Sequence, residues 1–185
     1  MSCEVILPSR TTWIQQVCLS SRIKANQHFI VIGVLLASGT LIVRQISLKS
    51  QITLCSIEKF GYPMAGIIDM STRFLYTVSR KGKLTKTCLT SQVKKDLSYF
   101  ARDATAITLV KNDSWILIGG GNEDKRVHII DSEKLHQVAE LKGHKSFIQT
   151  MSFESKTNIL ATAGGDWKII LWDLDKFYPI WSHNL

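Results

Sequence analysis

With 185 residues, 45% of them hydrophobic and 21% charged, the chain can bury a substantial core and falls outside the disordered and low-complexity classes. Its longest apolar run, Phe29 to Ala37 with Gly33 inside it, is far shorter than the roughly 20 residues of a membrane-spanning helix, so no membrane partner is expected. The net charge of +8 belongs to the first half, where residues 1–50 carry five basic and one acidic side chain and residues 51–103 nine and four, a balance that suits an anionic partner such as nucleic acid.

The first twelve residues lack the charged start and long apolar stretch of a secretory signal. Cys3, Cys18, Cys55 and Cys88 lie far apart without a Cys-x-x-Cys pair, which argues against a zinc site and reads as reduced thiols of the nucleus or cytoplasm. Cys3–Leu7 has the character of an outer strand. Beyond it the pattern predicts strands throughout, each bounded by turn residues. Inner strands are predicted at Ile14–Leu19, Ala65–Asp69, Ala106–Val110 and Ile148–Phe153. Outer strands are predicted at Gln51–Ser56, Val93–Tyr99, His136–Leu141 and Tyr178–Ser182. Asn112-Asp113-Ser114 matches a glycosylation sequon and is read as a turn.

Between inner and outer strands a tight turn recurs, followed each time by β-branched and apolar residues: Ser38-Gly39-Thr40-Leu41, Lys81-Gly82-Lys83-Leu84, Asp124-Lys125-Arg126-Val127 and Asp166-Trp167-Lys168-Ile169. The turns are anchored at positions 38, 81, 124 and 166, giving periods of 43, 43 and 42 residues. The last unit runs from Gly143-His144 through the Gly164-Gly165-Asp166 turn to Trp172-Asp173, with 27 residues between His144 and Trp172. Glycine-histidine, turn aspartate and tryptophan-aspartate in register resemble a WD repeat closely. The resemblance implies an all-β, WD40 β-propeller region over 1–185, with four-stranded antiparallel blades at 13–60, 61–103, 104–141 and 142–185. WD-repeat propellers usually have seven blades, so four make an open arc. A fragment, an N-terminally shortened form and an arc completed by a partner chain all fit that expectation.

His144, Thr162, Asp166 and Trp172 contain a hydroxyl, an imidazole and a carboxylate, as a hydrolase would. In the family they resemble, these four positions form a buried structural hydrogen-bond chain. The earlier blades lack the full set, with Ser38 and Lys81 in place of the turn aspartate and Arg44, Thr87 and Ile130 in place of the tryptophan. Gly119-Gly120-Gly121 follows an apolar strand as a phosphate loop would, but a phosphate loop opens into a helix and Arg126 to Ile130 alternates as a strand. No catalytic residue, cofactor, metal or small-molecule substrate is therefore expected.

Arg80, Lys81, Lys83 and Lys86 crowd one turn and its following strand, with Arg102 near the next connection, and are candidate RNA contacts. Trp167, inside a tight turn, is a candidate hot spot for a protein partner. The run Gly143-His144-Lys145-Ser146-Phe147-Ile148, with Ala163-Gly164-Gly165-Asp166 and the acidic turn Asn122-Glu123-Asp124-Lys125, is further similar to the non-catalytic WD-repeat subunit of the eukaryotic tRNA (guanine-N7) methyltransferase. That similarity implies a scaffold which holds a Rossmann-type methyltransferase and helps position tRNA. Its basic partner-holding position falls at His128, with Lys125 and Arg126 beside it. The alternative is a general WD-repeat interaction module in ribosome assembly, splicing or signalling.

Overall fold

The computed structural model describes residues 14–24, 27–36, 41–47, 51–57, 63–69, 73–79, 81–91, 93–97 and 103–185, with side chains from Ala65 onward. Every regular element among them is a strand. The first sheet holds β1 (Ile14–Lys24), β2 (Gln27–Leu36), β3 (Leu41–Ser47) and β4 (Gln51–Ile57). The second holds β5 (Pro63–Ile68), β6 (Phe74–Ser79), β7 (Leu84–Cys88) and β8 (Lys94–Leu97). The third holds β9 (Ala106–Val110), β10 (Trp115–Gly119), β11 (Arg126–Asp131) and β12 (Gln137–Lys142). The fourth holds β13 (Ile148–Glu154), β14 (Ile159–Gly164), β15 (Lys168–Asp173) and β16 (Tyr178–Asn184).

Each sheet is an antiparallel meander in chain order. Strand β1 lies beside β5, β5 beside β9, and β9 beside β13, so the sheets follow one another as blades of a propeller arc. Most predicted strands shift by one or two residues at an end, and one is much longer than its pattern. Strand β1 continues past Leu19 because Ser20 to Lys24 pair with Gln27 to Val31 in a long hairpin. The strand suggested at Cys3–Leu7 and the turn at Ser38 lie outside the described residues, as do the side chains of Cys3, Cys18, Cys55 and Arg44. Cys88 is a free thiol.

Two apolar layers join the blades. Ile116, Ile118 and Ile130 of the third sheet pack with Tyr76, Val78 and Leu84 of the second. Leu117, Val127 and Ile129, the alternate residues of the same strands, pack with Leu160, Ile170 and Trp172 of the fourth. The continuous apolar run at Ile116 to Ile118 follows from this, since a strand buried on both faces has no polar phase. Each such side chain, fully removed from water, contributes about 1.5–3 kcal/mol. Among the described residues, the fourth sheet packs against the third through one of its faces. On its other face Ile169 and Leu171 are half-buried, and Trp181 and Leu185 are 50% and 74% exposed.

Candidate interaction face

The fourth blade is locked by a buried polar chain. The His144 ring places Nδ1 2.9 Å from Asp166 Oδ1 and Nε2 2.8 Å from Thr162 Oγ1. Trp172 Nε1–H donates to the same Thr162 oxygen at 2.9 Å. With Asp166 ionised, the donor order closes on itself: indole to hydroxyl, hydroxyl to Nε2, and Nδ1–H to the carboxylate. Asp166 Oδ2 also accepts the Lys145 backbone N–H at 2.6 Å. Burial alone pushes the Asp166 pKa up, but the Lys145 N–H and the His144 ring outweigh it and hold the carboxyl below its ordinary value. Thr162 is 1% exposed and already bonded, so its hydroxyl is no accessible nucleophile.

This chain also fixes which loops share one end of the arc. Asp166 ties the β14–β15 turn to the 143–147 connection, and Gly165 N–H donates to Phe147 O at 2.9 Å. A Cβ on Gly165 would stand 2.4 Å from the Phe147 ring, which is why the turn needs glycine there. The connection in turn meets the β10–β11 turn, where Ser146 Oγ donates to Asn122 Oδ1 at 3.3 Å. Ile148 N–H donates to Gly120 O at 3.0 Å. The third-blade turn, the connection and the fourth-blade turn thus form one continuous rim.

The triple glycine belongs to this packing. A Cβ on Gly119 would lie 2.8 Å from Ile148 Cβ, and one on Gly121 2.4 Å from Asp103. Close blade contact, with no anion involved, accounts for these glycines.

Among the candidate contacts for a protein partner, His128 must be reassigned. It is 4% exposed, with Nε2 2.6 Å from Asp124 Oδ2 and Nδ1 3.2 Å from Gln137 Oε1. It points into its own blade and presents nothing to a partner. The third blade uses this pair to hold its turn carboxylate, a substitute for the histidine that the fourth blade draws from its connection. The sequence carried a signal for it, a histidine at an inward strand position four residues after a turn aspartate. Arg126 is exposed, with Nη1 2.9 Å from Glu140 Oε2. Lys125 and Trp167 remain outward. Both occupy left-handed backbone, with φ of 58° each, at the turn position that Gly82 fills in the second blade with φ 76°. Trp167 is 74% exposed.

Three of the five candidate RNA contacts fall within the described residues, and they are placed differently from one another. Arg80 and Arg102 lie outside the described residues. Lys83 Nζ is 2.6 Å from Asp96 Oδ2. Lys86 turns inward between blades, where Nζ donates to Ser132 O at 2.9 Å and sits 4.2 Å from the Phe74 ring centroid. Burial lowers its pKa, against the opposing pull of Asp69 and Glu133. Lys81 is exposed.

Lys86 helps line a cleft of about 370 Å³ with Phe74, Tyr76, Asp69, Asp131 and Glu133. Its carboxylates serve the turns: Asp69 Oδ1 accepts from the Arg73 and Phe74 N–H groups, and Asp131 Oδ1 from those of Glu133 and Lys134. No group of three or more His, Cys, Asp or Glu among the described residues is arranged to hold a metal ion.

Residues 135–173 match the family described as WD domain, G-beta repeat. The chain is 29% identical over 98 residues to the THO complex subunit 6 homolog of Danio rerio, a match covering 53% of this chain and 30% of that protein. Among solved structures it is similar to Sqt1 of Chaetomium thermophilum, captured bound to the N-terminus of the ribosomal protein L10. That likeness has a TM-score of 0.68 at 16% identity and covers 84% of this chain and 45% of that one. The chain therefore spans less than half the length of either protein.

Proposed function

We propose that this chain, an arc of WD-type propeller blades, is a non-catalytic scaffold that binds a protein partner within a ribonucleoprotein assembly. One observation carries the reading. In the fourth blade the side chains that could do chemistry, His144, Thr162 and Asp166, are consumed by the fold, while Lys125 and Trp167 are held outward on the rim they brace. Rigid backing of an exposed aromatic suits recognition, because little ordering remains to be done on binding. The two similar proteins support the assembly context: one is named as a subunit of a complex, the other is bound to a ribosomal protein's N-terminus.

Within this reading the tRNA (guanine-N7) methyltransferase is one candidate partner, supported by the resemblance of residues 143–169. The buried His128 weighs against it, since the position meant to hold the enzyme is used internally. Mass spectrometry of what co-purifies with the tagged chain at native abundance tests both levels. Stoichiometric recovery of a Rossmann-type methyltransferase supports the narrower reading. Recovery of THO-complex or ribosomal proteins supports the general one and removes the methyltransferase. A chain that recovers no protein at all overturns both.

A further inference from the structure

We propose that the rim joining the third and fourth blades is a binding site for single-stranded nucleic acid, with Trp167 as the platform on which a base stacks. The proposal concerns direct binding by the chain alone at the same outward residues that the protein-partner reading uses, and the test below distinguishes the two occupants.

Three observations converge. The first is the backbone. Left-handed φ is unusual for a bulky residue; among the described residues Leu135 and Phe177 share it, but Leu135 is buried and Phe177 half-buried, so Trp167 alone of the three carries its side chain in solvent. The second blade has Gly82 at this position, and Trp167 in the fourth has the same sign of φ with a large aromatic side chain. That conformation expels the indole from the turn, leaving it 74% exposed where packing returns nothing to the fold. Strain kept at one exposed aromatic points to use.

The second observation is charge. The rim's turn carboxylates are drawn inward, Asp166 to His144 and Asp124 to His128, with side chains only 7% and 13% exposed. Lys125 and Lys145 stand exposed on the same rim and Lys168 is half-exposed, against the exposed Glu123. The charged side chains exposed along this rim are therefore mainly cationic.

The third is continuity. The Asn122–Ser146 and Lys145–Asp166 hydrogen bonds join the turn bearing Lys125 to the turn bearing Trp167, so cations and indole lie along one track. A π-face flanked by lysines matches a strand whose bases stack while its phosphates are neutralised, a mode tolerant of sequence. A duplex, whose bases are already stacked, offers nothing to the indole.

Fluorescence anisotropy with short labelled oligouridylate and oligothymidylate, and with a duplex of equal length, tests this on the purified chain. Single strands are expected to bind more tightly than duplex, and the RNA and DNA arms show whether the sugar matters. Trp167→Gly is the informative variant. It relieves the left-handed strain, so thermal stability holds or rises, yet affinity for single strands should fall about tenfold. Trp167→Phe should retain most of it. Lys125→Ala with Lys145→Ala should weaken binding and flatten the log affinity against log salt slope by about 1.4, roughly 0.7 per phosphate contact. Unchanged affinity in Trp167→Gly overturns the proposal, and so does duplex bound as tightly as single strand. Loss of a protein partner in Trp167→Gly with unaltered nucleic-acid affinity also overturns it, assigning the indole to a protein interface.

Discussion

Thr162 Oγ1 is the residue-scale hinge of the fourth blade, because it answers both the His144 ring and the Trp172 indole. Thr162→Val leaves two buried polar atoms without partners, and each such atom costs about 1–3 kcal/mol. Trp172→Phe removes a donor and leaves the His144–Thr162 bond in place. Hydrogen exchange of β14 and β15 should therefore show Thr162→Val as the more destabilising, by about 2 kcal/mol or more against about 1 for the indole loss beyond packing. The second blade gives the opposite case. Thr87 stands where the repeat has tryptophan, is fully buried, and its hydroxyl has no hydrogen-bond partner. Thr87→Val should raise stability by about 1 kcal/mol in urea denaturation. Acid sensitivity follows from Asp166. Its folded pKa lies below the ordinary 3.8, so the stability it contributes is present above that value and is lost as pH falls through the folded pKa. Below pH 4, acid unfolding followed by near-ultraviolet circular dichroism should be visibly flatter in Asp166→Asn than in the parent chain.

At the scale of the element, the third sheet is the keystone, since both its faces are buried. Leu117 and Ile129 are each fully covered by the fourth sheet. Leu117→Ala should cost about 2–5 kcal/mol, as buried leucine truncations do. Val138, at the bulge of β12 in the same sheet, is 38% exposed. Val138→Ala should change the urea midpoint little, and equal losses at the two positions would contradict the sandwiched arrangement. The turns obey a different rule from the strands. In the third and fourth blades the carboxylate points in and the following residue points out, whatever its chemistry. That is how lysine in one blade and tryptophan in the next come to share a rim.

At the scale of the molecule, the third and fourth sheets of the described arc differ in how far their equivalent strands are covered. The positions of Val127 and Ile129, both fully buried, correspond in the fourth blade to Ile169 and Leu171, which remain half-buried beside an exposed β16. Apolar surface of this kind, next to an edge strand, favours association. Leu171→Glu should reduce concentration-dependent self-association in analytical ultracentrifugation and lower the binding of an apolar dye, with the hydrogen-bond chain of the fourth blade intact. Equal dye binding before and after the change would place the exposed apolar surface elsewhere.

The sequence by itself determined the periodicity, the all-β class and the chemistry of the last repeat, because turns, strand alternation and the glycine-histidine to tryptophan-aspartate register are local properties of the chain. Inner strands such as Ala106–Val110 were legible to the residue for the same reason. Only the tertiary structure decided which polar residues are spent and which are free. His128 and Lys86 have the composition of surface contacts, yet one is bonded inside its blade and the other is half-buried between two. Trp167 has the composition of a core residue, yet a left-handed turn holds it in solvent. For Lys86 the orientation depends on the neighbouring blade, 46 residues away at Ser132, and no short window along the chain contains that information; His128 bonds within its own blade, four and nine residues away.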